Sequence, residues 1–191
     1  MSHPTRLDPV TQPDAIRRAA QRLADGQLVA LPTETVYGLG ARSDDDAAVA
    51  RIFAAKGRPS DHPLIVHVAD AQAAEVFAAE LPPVARRLMD RFWPGPLTVI
   101  VPRREGIGKA SAGGQDTIGL RCPDHPVALA LLREALTLGV PGVSAPSANR
   151  FGRVSPTRAD HVESEFGTED LLVLDGGPCE VGIESAIVDC S

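Results

Sequence analysis

Leu28-Val29-Ala30-Leu31-Pro32-Thr33-Glu34-Thr35-Val36-Tyr37-Gly38-Leu39-Gly40 is the stretch from which the rest of the chain can be read. Its first four residues are an apolar run of the kind that forms a buried strand. Pro32 then ends the ladder, because proline has no N–H to donate to it. Two threonines, a glutamate and a tyrosine follow against two glycines, where a packing strand would carry more valine and leucine. Glycines at 38 and 40 let the backbone approach a neighbour closely, and the hydroxyls supply short-range donors and acceptors. A strand-to-helix turn, with Ser43 or Asp44 capping a helix from about Asp45, explains the glycines. It leaves the Thr-Glu-Thr-x-Tyr cluster unexplained, and a binding site accounts for both.

Two further patches point the same way. Lys56-Gly57-Arg58-Pro59 ends the helix that contains Val49, Ile52 and Phe53, and Ser60-Asp61-His62-Pro63 leads into the strand Leu64-Ile65-Val66-His67-Val68. Lys56 in a last helical turn suits the macrodipole and Gly57 suits a C-cap, so a purely structural role stands beside a ligand-binding one. For Arg58, beyond the cap, the dipole argument weakens. His67 interrupts an apolar strand, where a lone histidine is more often a satisfied core residue than a ligand. The third patch, Val143 to Thr157, is a strand running into a loop of small hydroxylated residues with two arginines, Arg150 and Arg153. Its Ser155-Pro156 fits an N-cap and first-turn proline for a helix around Ala159 and Val162, and fits a ligand contact equally well.

The chain has 191 residues, 43% of them hydrophobic, which suffices for one domain with a sizeable core. No apolar run has membrane-spanning length, and the N-terminus is polar and proline-broken, so neither a membrane span nor a signal peptide is expected. Cys122, Cys179 and Cys190 form no Cys-x-x-Cys pair and fit a reducing cytosol. An odd spacing puts His62 and His67 on opposite faces of extended chain, and no protein-held metal is expected. The expected order alternates helices (15–23, 45–55, from 72, from 84, 127–138, after 156) with strands (28–31, 64–68, 97–101, 117–121, near 143, 171–174, 185–188). That alternation argues α/β, while the adjacent strands near 97 and 117 argue against pure βαβ repetition. The net charge is -6. Lys56, Arg58, Arg121, Arg150 and Arg153 nevertheless fall in or beside the motif loops, which suggests a small anionic ligand rather than a long polyanion. Only 4% of the residues are aromatic, too few for a base-stacking platform. No phosphate-loop motif occurs, and Gly38-x-Gly40 lacks the third glycine of a dinucleotide fingerprint.

Together the patches resemble one family, the YrdC/Sua5 proteins, which are L-threonylcarbamoyladenylate synthases of tRNA modification. The resemblance rests on Pro32-Thr33-Glu34-Thr35-Val36-Tyr37-Gly38-Leu39, on Lys56-Gly57-Arg58-Pro59 with Pro63 to Val68, and on Trp93-Pro94-Gly95-Pro96-Leu97-Thr98. It continues through Thr117-Ile118-Gly119-Leu120-Arg121-x-Pro123, Ser144-Ala145-Pro146-Ser147-Ala148-Asn149 and Gly182-Ile183-Glu184-Ser185-x-Ile187-Val188-Asp189. It implies a single-domain α/β fold: a twisted open mixed β-sheet flanked by helices around a concave cavity. The domain would occupy residues 13–191, with residues 1–12 a flexible N-terminus.

The implied reaction joins L-threonine, bicarbonate (or CO2) and ATP into L-threonylcarbamoyladenylate with release of pyrophosphate, Mg²⁺ arriving on the ATP phosphates. Such chemistry asks a protein mainly for positioning and charge neutralisation, so no nucleophile or catalytic dyad is expected. Lys56 and Arg58 would act on the phosphates, the arginine through its planar fork. By the resemblance, Thr35, His67, Arg121, Ala145 and Ser185 would hold L-threonine, with Arg121 pairing its carboxylate and Ala145 offering only backbone. Arg58, His62, Thr117, Ser147 and Ser155 would contact ATP. A threonylcarbamoyl transferase of the tRNA pathway would take the product, weak tRNA binding is a further allowance, and the location implied is the cytoplasm. The alternatives are a double-stranded RNA or tRNA-binding module and a carbamoyl-transferring relative of hydrogenase maturation. The chain departs from the family pattern in His62, usually asparagine, and in Ala186, usually threonine. It also stops at Ser191, where relatives continue into an Arg-Pro-Gly segment, and weaker ATP binding is the expectation that follows.

Overall fold

The computed structural model describes residues 3–191. In chain order its elements are β1 (Thr5–Leu7), α1 (Ala15–Ala24), β2 (Val29–Leu31), β3 (Gly38–Arg42), α2 (Asp46–Lys56) and β4 (Ile65–His67). Then come α3 (Ala71–Ala74), α4 (Pro83–Phe92), β5 (Leu97–Pro102), β6 (Thr117–Arg121) and α5 (Pro126–Thr137), followed by β7 (Val143–Ser144), α6 (Ala159–Phe166), β8 (Leu172–Leu174) and β9 (Ala186–Asp189). The strands form one sheet in the order β1-β8-β2-β3-β7-β4-β6-β5-β9. Four pairs are parallel (β1/β8, β2/β8, β4/β6, β5/β9) and the rest antiparallel, so the sheet is mixed as expected.

Three apolar clusters cover the sheet. Helices α1 and α5 bring Ala19, Leu23, Leu131 and Ala135 against Leu31 and Leu174. Helices α2 and α6 bring Ile52, Phe53, Val162 and Phe166 against Leu39 and Val173. The third cluster lies between α3, α4 and the far half of the sheet, where Phe77 and Met89 meet Val66, Val99, Val101, Ile118 and Leu120. Side chains alternate across a strand, so burying these five directs Ile65, His67, Thr98, Ile100, Thr117, Gly119 and Arg121 to the opposite face. That face is the floor of the cavity. The second residue of the α4–β5 loop, Pro94, follows a cis peptide bond from Trp93.

Several expectations are corrected. Residues 1–12 were expected to be a flexible N-terminus; residues 1 and 2 lie outside the described residues, while Thr5–Leu7 form β1, parallel to β8, with Leu7 buried in the first cluster. The apolar signal of a three-residue strand among prolines is too short to register as periodicity. Gly38-Leu39-Gly40 is not a turn but the start of β3, paired antiparallel to β2 through Leu31↔Gly38 and Val29↔Gly40. Its glycines serve close packing, since a Cβ on Gly40 would come within 2.8 Å of Val143. Asp45, rather than Ser43 or Asp44, caps α2 by accepting from Ala47 N–H at 2.9 Å and Ala48 N–H at 3.3 Å. Gly57 ends that helix in the left-handed conformation, as its position suggested. Ser155 is not a helix cap: α6 begins after Arg158, with no side chain capping it. Among the described residues no helix is long and apolar enough to cross a membrane.

Candidate active site

The register of the sheet sets the site. His67, Arg121 and Thr98 stand in one lateral row, because His67 pairs with Arg121 while Val99 pairs with Leu120. The next row outward is Ile65, Gly119 and Ile100, and Thr117 begins β6 beyond it. Over this floor lies a cavity of about 330 Å³, walled by Thr33, Thr35, Ala145, Ser147, Glu184 and Ser185. Pockets of ~300–1,000 Å³ are the usual size for small ligands.

Arg121 is the chemical centre of the inner row. Its side chain is 4% exposed and donates from Nη2 to Glu34 Oε1 at 2.7 Å, the Glu34 side chain being 7% exposed. Nε reaches the Gly95 carbonyl at 3.4 Å. A guanidinium has five N–H donors in a fixed fork, so this anchoring on one side leaves donors for a ligand carboxylate in the cavity. The remaining oxygen of Glu34, Oε2, is buried without a partner. Burial, and then the neighbouring charge of Arg121, pull the His67 imidazole down to about 3, so it is neutral in the native protein. Its Nδ1 is likewise buried and unpartnered. Native proteins rarely leave such buried atoms unsatisfied.

Hydroxyls surround this end. Thr33 Oγ1 donates to the Val36 carbonyl at 2.6 Å and lies 2.9 Å from Thr35 Oγ1. With the Thr33 proton committed, Thr35 is the donor of that pair, and its own oxygen keeps free acceptor capacity towards the cavity. Thr98 Oγ1 and Ser185 Oγ stand 3.0 Å apart. At the mouth, Arg58 donates from Nη2 to the Pro63 carbonyl at 3.1 Å, while its Nε is buried without a partner. Burial alone lowers the Arg58 guanidinium below its ordinary value.

Of the residues singled out in the sequence, Thr35, Arg58, His67, Thr117, Arg121, Ala145, Ser147 and Ser185 line the cavity together. Lys56, His62 and Ser155 do not. Lys56 is buried behind the wall, where Nζ donates to the Ser147 carbonyl at 2.5 Å and to the Asn149 carbonyl. Burial, and then the charge of Arg58, lower it to about 8. It holds the Ser144–Asn149 loop rather than facing a ligand. The His62 ring packs on Phe151, centroids 5.7 Å apart, and Ser155 Oγ donates to Glu184 Oε1 at 2.7 Å on the rim. Arg150 and Arg153, expected among the cations gathered at the ligand, instead pair with Glu169 at 3.3 Å and with Glu165 at 3.4 Å. Tyr37 is also structural: its buried hydroxyl donates to the Gly177 carbonyl at 2.7 Å, and burial pushes its pKa up.

Thr33 of the opening cluster lines the cavity, and Thr98, Gly119, Glu184 and Gln115 line it without having been given a ligand role. Period-two alternation along 97–101 and 117–121 would have found Thr98 and Gly119, whereas Gln115 carries no local signal. Among the described residues no group of three or more His, Cys, Asp or Glu is placed to hold a metal ion.

Comparison with known proteins agrees with this architecture. A family model for Sua5, YciO and YrdC proteins, described as telomere recombination, matches residues 21–191. A threonylcarbamoyl-AMP synthase of Pyrococcus abyssi is 48% identical over 174 residues, covering 91% of this chain and 50% of that protein. The Bacillus subtilis threonylcarbamoyl-AMP synthase is 46% identical over 182 residues, covering 95% of this chain and 51% of its own length. The chain thus spans about half the length of both curated relatives. The crystal structure of Pyrococcus abyssi Sua5 complexed with L-threonine superposes with a TM-score of 0.91 at 44% identity, covering 98% of this chain and 54% of that one. With its nine-stranded mixed sheet, its cavity and a matching model over most of its length, this chain belongs to the Sua5/YciO/YrdC family.

Proposed function

We propose that the chain catalyses formation of L-threonylcarbamoyladenylate and pyrophosphate from L-threonine, bicarbonate or CO2, and Mg-ATP, for the threonylcarbamoyl modification of tRNA. The observation that carries this reading is the buried Arg121 guanidinium, anchored on one side by Glu34 and open to a hydroxyl-lined cavity on the other. That is a receptor for a small carboxylate whose neighbours are hydrogen-bonding groups.

L-Threonine lies with its carboxylate on Arg121, its amino group towards the free oxygen of Thr35 and the neutral His67, and its hydroxyl at the Thr98–Ser185 pair. The Ala145 backbone closes that end. The neutral amino nitrogen attacks CO2, forming the N–C bond and releasing one proton to solvent. A carbamate oxygen then attacks the α-phosphorus, the bond to the β-phosphate breaks, and pyrophosphate leaves. Arg58 neutralises charge on the phosphates, with Thr117 and Ser147 as further contacts on ATP. His62 and Ser155 serve it only from the rim, and Lys56 acts through the loop it holds. Mg²⁺ enters as part of the nucleotide substrate. A threonylcarbamoyl transferase would consume the product, and a reducing cytosol suits the three unpaired thiols.

The test is pyrophosphate release with ATP, bicarbonate and each amino acid in turn. Release should require L-threonine and bicarbonate together, with serine slower because a missing methyl costs ~1–3 kcal/mol in a fitted pocket. Equal rates with serine, or turnover without bicarbonate, would sink the assignment.

A further inference from the structure

All but one of the chain's glycines have a reason within the fold. Ten take a positive φ, where side chains are strained. At Gly38, Gly40, Gly95, Gly142, Gly167 and Gly176 an added Cβ would approach a neighbour to 3.2 Å or less. Gly119 has neither reason. Its φ lies outside the left-handed region, and a Cβ there would meet only Thr98 Cγ2 at 3.4 Å and Ile65 Cγ1 at 3.7 Å, ordinary contact distances. It sits in the middle of β6, between the cavity-facing Thr117 and Arg121. A glycine in a strand interior weakens the strand and marks a place where something approaches the backbone closely. No protein atom does so here, and the cavity lies above.

We propose that Gly119 is a positioning element of the reaction: its bare backbone clears the floor for the junction at which the amino acid's carbamate meets the α-phosphate. The inference rests on the threonylcarbamoyladenylate reading and deepens it. Residues two apart on a strand are about 6.6–6.8 Å apart. A ligand reaching from Arg121 to the phosphate end at Thr117 therefore spans about 13 Å, twice that step, and passes over Gly119 midway. A carboxylate on Arg121 puts its amino nitrogen two bonds further along, so the carbamate built on that nitrogen reaches the middle row. There Ile65 and Ile100 flank Gly119 on the neighbouring strands and offer no hydrogen-bonding group. The floor beneath the mixed anhydride is thus apolar, which keeps water from a bond it would hydrolyse. A methyl on residue 119 would rise into that space and lift the junction from its line of attack.

The test compares wild type with Gly119→Ala and Gly119→Val by thermal melting, calorimetry with L-threonine, and pyrophosphate release. The alanine variant should melt at or above the wild-type temperature and bind L-threonine within about threefold. Its turnover should fall by about 100-fold, the scale of a misplacement near 1 Å at reacting atoms, and the valine variant should lose more. Wild-type turnover in Gly119→Ala would overturn the inference and leave the functional reading standing. A fall in melting temperature parallel to the fall in activity would make Gly119 a residue of the fold and overturn it too. Weakened threonine binding with unchanged turnover at saturation would move the clash to the amino-acid end, against the junction proposed. A wild-type chain that releases no pyrophosphate with any amino acid overturns the functional reading, and this inference with it.

Discussion

Arg121→Met removes the cation of a pair in which both side chains are under one-tenth exposed, at 4% and 7%, and whose N···O separation is 2.7 Å. At an effective dielectric constant of about 20, opposite charges about 4 Å apart attract by roughly 4 kcal/mol. The substitution also strands the Glu34 carboxylate, whose second oxygen already lacks a partner. Breaking a buried pair in this way costs about 3–5 kcal/mol. For a domain of this size each kcal/mol shifts the melting temperature by about 2–4 °C, so Arg121→Met should melt about 6–20 °C lower. Glu34→Leu should cost a similar amount, by leaving the guanidinium alone. The double variant replaces both charges with apolar groups of comparable volume, so it should recover most of the loss, as a double-mutant cycle followed by circular dichroism would reveal. On the function proposed, activity should not return with it, because the L-threonine carboxylate would have lost its receptor. A single variant melting within about 2 °C of wild type, or a double variant that loses the sum of the two single losses, would refute the description of a mutually dependent buried pair.

Lys56→Met should destabilise the chain by about 3–6 kcal/mol, since two carbonyls lose charge-assisted donors worth about 1.5–3 kcal/mol each. Unchanged chemical denaturation would show that the ammonium does not hold the Ser147 and Asn149 carbonyls. His67 gives a pH dependence. Its native value of about 3 lies below the roughly 6.5 of an unfolded chain. Between those values the unfolded state binds one more proton, so stability is full above about 6.5 and falls with decreasing pH, at up to about 1.4 kcal/mol per unit. His67→Asn should flatten that acid limb, and parallel stability profiles for the two proteins between pH 4 and 7 would argue against a buried neutral imidazole.

Much of the fold was legible because its longer elements carry strong periodicity. The strand over 117–121 coincides with β6, and the helix expected over 45–55 differs from α2 by one residue at each end. Elements of two or three residues, such as β1, offer too few positions for a period to emerge. At the site, the residues read from motifs on strands fell together because a strand's register fixes its neighbours. Thr117 and Arg121 reach the cavity through the same alternation. The loop residues fared worse. A cation beside a motif in sequence has no fixed direction in space, and Arg150 and Arg153 turned to the carboxylates of Glu165 and Glu169. Lys56 and Arg58 are two residues apart but separated by the left-handed Gly57. That reversal sends one side chain behind the wall and the other into the cavity.

The bond network around Lys56 has a mechanical consequence. Its ammonium holds two carbonyls of the 144–149 loop, and its own carbonyl accepts from Phe151 N–H at 2.9 Å. The end of α2 is therefore riveted at three points to the segment 147–151. The guanidinium two residues further on shares the same body as the Ser147 wall opposite it. Displacing the helix along its axis would carry both with it and leave the gap between them unaltered. The other side of the rim is fastened too: besides the Ser155–Glu184 hydrogen bond at 2.7 Å, Cys179 N–H donates to the Thr157 carbonyl at 2.9 Å, Val181 N–H to the Glu34 carbonyl at 2.9 Å and Gly182 N–H to the Thr35 carbonyl at 3.1 Å. Load on the mouth is therefore shared between both sides rather than gathered at one seam.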